Sequence, residues 1–303
     1  MQEGKAPFRL NDGVAETWYR IDGDLRSDDP DAPAPLVALH GGPGATHHYL
    51  LALADLAQDG RSVVFYDQIG NGLSSHYPER GADFWTVDLF VHDLHNLVDA
   101  LGIADRHHVL GSSWGGFLGQ EYALTHPRGL KSLVLADTAA SFPDFLAEAN
   151  RLRTELPPEV EATLRRHEEA GTTDDPEYEE AVMVFYRRHL CRTDPWPDWL
   201  VRCFEILEAN PEVYRTMNGP SEFHVIGTIK DWDISHRLGE IHVPTLIVSG
   251  RYDEVTPGTV EIVHRGIPGS EWVLLEESSH MAQAEEPERT LGAIRDFLER
   301  VEP

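Results

Sequence analysis

The sequence predicts an α/β domain: a mostly parallel sheet flanked by helices and interrupted by a helical insertion. Three observations carry this. Short apolar runs alternate with helical patterns from residue 36 to residue 136, as parallel strands joined by crossover helices require. The alternation stops over 138–233, which is charged and helix-patterned, and resumes at Pro244. Between a strand pattern and a helix pattern lies VLGSSWGGFLG, with Ser113 at the centre of a Gly-x-Ser-x-Gly sequence. A serine on so sharp a strand-to-helix turn needs side-chain-free neighbours two residues to either side.

In chain order, residues 14–21 read as a first strand, and 22–35, rich in Asp, Pro and Gly, as a turn and loop. An apolar strand over 36–39 runs into HGGPG at 40–44, a loop with little side-chain bulk, which His40 supports. A helix over 49–58 stops near Gly60, and a buried strand over 62–66 ends in DQIGNGLS at 67–74. That segment lacks the third glycine of a dinucleotide fingerprint and the Gly-Lys-Ser/Thr of a phosphate loop, which argues against nucleotide binding. A helix is predicted over 84–101; His92 and His95 share a face of it, without zinc-protease spacing. The strand 106–110 and the helix 114–126 enclose the serine turn, and 130–136 is a strand with Asp137 at its end.

The helical stretch 138–233, interposed between strands, reads as a cap over the carboxyl ends of the sheet. Its aromatic residues, among them Trp196, Trp199, Phe204, Tyr186, Tyr214 and Trp232, either line a pocket or pack the cap onto the sheet. The sheet continues with a strand over 244–249, a turn over 250–254, a helix over 257–265 and a strand over 271–275; His280 follows, then a closing helix over 281–300. The expected organisation is 1–137 and 234–303 as two parts of one core, with 138–233 as the cap.

The 303 residues carry a formal charge of -27, with 52 acidic against 25 basic side chains. Such a balance disfavours nucleic acid and anionic membrane surfaces as partners. It serves solubility or adaptation to salt, or else an acidic pocket for a cationic group. Residues 1–10 show no charged start followed by a long apolar stretch, no run reaches membrane-spanning length, and Cys191 and Cys203 form no CxxC pair. A cytoplasmic protein is the expectation.

A serine hydroxyl is a weak attacker at neutral pH and needs a base within hydrogen-bond reach. His280, after the last strand, has that placement. An acid must hold its tautomer; Asp253, at the end of the strand 244–249, is the first candidate, with Glu254 and Asp137 as rivals. The order Ser113, Asp253, His280 is the one expected of α/β-hydrolases, so the predicted class is the α/β-hydrolase fold with an inserted helical cap.

Together HGGPG (40–44), DQIGNGLS (67–74), GSSWGG (111–116), GPSEF (219–223), GRYDEV (250–255) and SHMA (279–282) resemble the proline iminopeptidase family, serine aminopeptidases of this fold. The match runs from about residue 36 to the end, though most of the cap carries no motif. The resemblance implies Ser113 as nucleophile, His280 as base and Asp253 as orienting acid. It implies the N–H groups of Gly42 and Trp114 as the oxyanion hole, and Glu222 and Glu254 as the anchors of a free amino group. The implied reaction is cleavage after an N-terminal aminoacyl residue of a small peptide or aminoacyl amide, with no metal or organic cofactor. Alternatives are removal of an aminoacyl group from a small-molecule or secondary-metabolite amide, an esterase without amine recognition, and a non-catalytic receptor on the same fold.

Overall fold

A computed structural model describes residues 1–25 and 32–302; the loop expected over 22–35 lies partly outside the described residues. Eight strands, β1 (Gln2–Leu10), β2 (Gly13–Asp22), β3 (Leu36–Leu39), β4 (Val63–Tyr66), β5 (His107–Ser112), β6 (Leu130–Ala136), β7 (Thr245–Gly250) and β8 (Glu271–Leu275), form one sheet in the order β1-β2-β4-β3-β5-β6-β7-β8. From β4 to β8 neighbours pair in parallel; β1 and β2 form an antiparallel hairpin at one edge, and β2 also pairs antiparallel with β4. β3, β4, β5 and β7 are buried along their whole length. That burial explains why they read as continuous apolar runs rather than as alternating ones.

Helices α1 (Val87–Ala100), α2 (Trp114–Leu124), α8 (Pro257–Gly266), α9 (Ala282–Glu285) and α10 (Pro287–Val301) belong to the sheet's layers. α1 begins three residues later than the pattern predicts because the Thr86 side chain accepts the Leu89 N–H and caps it. Its buried apolar residues Phe90, Val91, Leu94, Leu97 and Val98 form one stripe, in which Asp93 is also buried. The helix expected over 49–58 is a 3-10 helix, His47–Asp59, stopped by Gly60 in the left-handed conformation. The closing helix is broken between α9 and α10 at Pro287, which has no N–H to continue the ladder. β1 is the strand that the sequence reading missed.

Five α-helices, α3 (Phe142–Arg153), α4 (Pro158–Ala170), α5 (Pro176–His189), α6 (Asp198–Ala209) and α7 (Glu212–Met217), and then a 3-10 helix, Ser235–Glu240, lie between β6 and β7. Where this insertion leaves and rejoins the sheet, its two ends run side by side: Phe142 N–H donates to Trp232 O and Ile234 N–H to Ala140 O, each at 2.9 Å. Phe142 and Trp232 then pack on Phe117 of α2, with ring centroids 4.6 and 4.9 Å away. A second tie comes from the C-terminal end of α5. The His189 carbonyl, one of the oxygens that a helix end leaves without an intrahelical partner, accepts the N–H groups of both Glu254 and His280 at 3.2 Å.

Candidate active site

Ser113 sits between β5 and α2 at φ 57 and ψ -127, a strained conformation for a residue with a side chain. The flanking glycines make it possible. A Cβ on Gly111 would lie 2.0 Å from the Gly115 carbonyl oxygen, and one on Gly115 would lie 2.1 Å from the Leu39 oxygen. Ser113 N–H donates to Ala136 O at 2.9 Å, and its carbonyl accepts the Gly116 and Phe117 N–H groups and the Thr138 hydroxyl. The bond set leaves the Trp114 N–H, at the start of α2, without a partner among the described residues. Over 107–124, Ser113 and Glu121 are the residues that keep some exposure, and Ser113 faces a cavity.

The loop after β3 passes so close to this turn that a Cβ on Gly41 would lie 2.9 Å from the Ser113 Cβ. Gly42 has φ 111, open to glycine and rarely to other residues, and its N–H is likewise unpartnered among the described residues. The loop is clamped from below. His40 Nδ1–H donates to Gly41 O at 3.0 Å, while its Nε2 accepts the Gln68 N–H at 2.9 Å. That pair of bonds needs the neutral ring, in keeping with a pKa pushed down to about 4 by burial. Gln68 in turn donates to His40 O at 2.7 Å and accepts the Trp114 indole N–H at 3.0 Å. Asp67 accepts from His47 N–H and Nδ1–H and from Leu73 N–H at 2.8–2.9 Å. DQIGNGLS is therefore a scaffold for the glycine loop.

Asp253 and His280 stand at the carboxyl ends of β7 and β8. Asp253 Oδ1 accepts His280 Nδ1–H at 2.7 Å and Val255 N–H at 2.8 Å, and both side chains are buried. Burial disfavours the imidazolium, but the attraction of Asp253 and its hydrogen bond outweigh that cost and hold the His280 pKa above its ordinary value. His280 and Ser113 line the same cavity without a hydrogen bond between them, a contact that in such sites tightens once substrate is engaged.

The cavity measures about 650 Å³ and is walled by both the sheet loops and the insertion. Glu222, partly exposed, reaches it; Tyr214 O–H donates to its Oε1 at 2.6 Å, and its own N–H donates to the Tyr186 hydroxyl at 3.2 Å. Burial raises its pKa, against the Tyr214 hydrogen bond and the His280 charge. Glu254 lies behind the wall, buried, with Oε2 lacking a partner among the described residues. Burial lifts its pKa well above the carboxylate range; His280 opposes this, and Glu222 and Asp253 reinforce it.

Thus Ser113, Gly42, His280 and Glu222 converge on one cavity, with Trp114, Asp253 and Glu254 directly behind it. Asp137, the rival acid, lies within hydrogen-bond reach of Asp253 rather than apart from it. Of the insertion's aromatic residues, Tyr178, Tyr186, Phe204 and Tyr214 line the cavity, whereas Trp196, Trp199 and Trp232 pack elsewhere. Sequence reasoning missed Tyr49, whose hydroxyl accepts the Gly41 N–H at 2.6 Å and donates to Ser112 O at 3.3 Å. No local pattern marks it.

A sheet of this order, a serine on a glycine-flanked turn after β5, and a histidine–aspartate pair at the ends of its last two strands define the class as an α/β-hydrolase. A family model of the alpha/beta hydrolase fold matches residues 34–287. The chain is 41% identical to the proline iminopeptidase of Saccharolobus solfataricus, over 99% of this chain and 93% of the relative, and 40% identical to that of Thermoplasma volcanium, over 88% and 89%. Among solved structures it is similar to the proline iminopeptidase of Mycobacterium smegmatis (TM-score 0.89, 42% identity, 99% of each chain) and to VinJ (TM-score 0.93, 48% identity, 98% and 99%). The chain belongs to the proline iminopeptidase family. Among the described residues no helix is long and apolar enough to cross a membrane.

Proposed function

We propose that the protein is a serine aminopeptidase or amidase that removes a free N-terminal aminoacyl residue from a small peptide or aminoacyl amide. The observation that carries this is the meeting of Ser113, the unpartnered Gly42 N–H, His280 and the Glu222 carboxyl group on one cavity. Glu222, with Glu254 behind it, receives the substrate's ammonium group through a charge-assisted hydrogen bond. That anchor sets the first amide carbonyl against Ser113, so orientation is supplied before reaction. His280 takes the hydroxyl proton as Ser113 attacks. Asp253 fixes the tautomer and stabilises the imidazolium. The N–H groups of Gly42 and Trp114 meet the developing oxyanion. His280 returns the proton to the leaving amine, and water then clears the acyl-enzyme.

Residues 138–233 act as the cap that closes this site from above. Its wall offers Val182, Met183, Leu200, Phe204 and Leu207, an apolar surface, while exposed Asp174, Glu179, Glu180 and Glu208 ring the opening. Arg215, the basic lining residue, is paired with Asp174 at 2.6 Å. A volume near 650 Å³ with such walls favours the second reading as well, an aminoacyl amide with a large apolar amine portion. The free, buried Cys191 and Cys203 support a cytoplasmic setting.

Steady-state rates on prolyl, alanyl, leucyl and phenylalanyl anilides, each with its N-acetylated counterpart, test the proposal. Free-amine substrates should be hydrolysed and blocked ones should not, and Ser113→Ala should abolish turnover. Equal hydrolysis of both sets would leave an esterase-like enzyme without amine recognition.

A further inference from the structure

Asp137 is a carboxyl group that the mechanism above does not use. It follows β6 as Asp253 follows β7; the two strands are parallel neighbours with Ala136 opposite Val248, so both strand ends deliver an acid to one place. Asp137 is 1% exposed and held at φ 51, in the left-handed region. Its N–H donates to Val248 O at 2.9 Å and its Oδ1 accepts the Gly250 N–H at 3.2 Å. These bonds hold its carboxyl within hydrogen-bond reach of the Asp253 carboxyl.

The Asp253 oxygens are unequally served. Oδ1 accepts from both His280 and Val255, whereas Oδ2 is buried with no donor among the described residues. A buried carboxylate oxygen left without a donor is costly, and a neighbouring carboxyl group supplies a donor only when it carries its proton. We propose that Asp137 is held as the neutral acid and donates its proton to Asp253 Oδ2, making it a positioning residue for the catalytic acid. The inference rests on the triad reading given above.

The surroundings agree. Around this pair stand Glu254 from the same loop as Asp253, His189 from the insertion, His280 after β8, and Tyr49 from the 3-10 helix His47–Asp59; Glu222 of the insertion acts on Glu254 and His280. Burial, followed by the charge of Asp253, pushes the Asp137 carboxyl well above its ordinary range. The function of the proton is electrostatic. A second carboxylate beside Asp253 would strengthen the hold on the imidazolium and keep His280 protonated, unable to take the proton of Ser113. A neutral Asp137 removes that charge and tempers the basicity of Asp253, while its hydrogen bond fixes the carboxylate plane against the ring.

The test is the pH dependence of inactivation by diisopropyl fluorophosphate. This readout needs the triad but neither the amine anchors nor a leaving group. Asp137→Asn keeps a neutral donor and suits a positive φ; it should leave the acid limb of the inactivation rate within about 0.3 units of the wild type, and the rate itself within about threefold. Asp137→Leu, of similar shape without a donor, should raise the limb by about one unit as Asp253 becomes more basic. A limb that falls by a unit or more in Asp137→Asn would mean that a charge had been removed, and would overturn the proposal. So would a limb in folded Asp137→Leu that coincides with the wild type. If Asp137→Leu fails to fold, the Asn variant alone decides by the sign of its shift. Wild-type protein that reacts with the fluorophosphate yet ignores free-amine anilides would remove the aminopeptidase reading and leave this one standing; wild-type protein inert to the reagent would sink both.

Discussion

Replacing Glu222 with Gln removes a charge from the cavity while keeping an oxygen for the Tyr214 hydroxyl, 2.6 Å away in the native site. A hydrogen bond to a charged group is worth about 1.5–3 kcal/mol. The lower part of that range applies, because Glu222 is partly exposed and the glutamine that replaces it keeps a carbonyl oxygen that can accept from the ammonium group. At 1.4 kcal/mol per factor of ten, the loss in kcat/KM for free-amine anilides should be about 10- to 30-fold. It should fall mostly on KM, since the ammonium is held in the ground state and the transition state alike. The pH profile carries a second signature. Burial raises the Glu222 pKa despite Tyr214 and His280, so its carboxylate is present only above that raised value, and the anchor is lost as pH falls through it. On the other side binding weakens as the substrate's α-amino group deprotonates, near pH 8. Native KM should therefore pass through a minimum in pH, and Glu222→Gln should flatten its acid side. The assay is initial rates on leucyl and prolyl anilides, and on a neutral ester lacking an amine, from pH 5 to 9. An equal loss on both substrate classes would refute the reasoning, because a charge that anchors an amine has no purchase on a substrate without one.

Two further outcomes follow from packing and charge. Gly115→Ala would place a Cβ 2.1 Å from the Leu39 oxygen and force α2 away from β3; kcat should drop by about a hundredfold or more as the Trp114 N–H leaves its position, and a variant retaining native kcat would show that the turn tolerates the shift. At the opposite end of the sheet Glu302 accepts from Arg61 at 2.6 Å, from His108 at 3.2 Å and from the Ala34 N–H. Burial alone would raise its pKa, but those partners bring it down to about 2. A depressed carboxylate stabilises the fold above its unfolded pKa and loses that contribution as pH falls towards the folded one. Glu302→Gln should therefore cost about 1–3 kcal/mol in chemical denaturation at pH 7 and much less at pH 3; a pH-independent cost would assign its role to shape instead of charge.

What the sequence reveals and what it conceals divide along a physical line. Steric demands leave local marks: the turn at Ser113 needs Gly111 and Gly115, and the approach of the 40–44 loop needs Gly41, so both are written as glycines in short windows. β1 leaves no such mark. It pairs along one side with β2, its burial alternates weakly, and Lys5 and Pro7 interrupt the apolar pattern, so nothing local separates it from a loop. The roles of Tyr49, Tyr186 and Tyr214 are invisible for a different reason. Each acts through a hydroxyl whose partner is contributed by another segment, and a tyrosine that packs looks the same in sequence as one that donates. Asp137 falls between these cases. Its type and its place after a core strand are legible, enough to make it a rival of Asp253, but choosing between them assumes that only one is used. Strand order removes that assumption: with β6 and β7 side by side and parallel, both acids arrive at the same end of the sheet, and two buried carboxyl groups in contact are held most cheaply by one proton between them. The question is then not which aspartate is the acid but which of the two carries the proton, and the two donors already on Asp253 Oδ1 favour leaving Asp253 ionised.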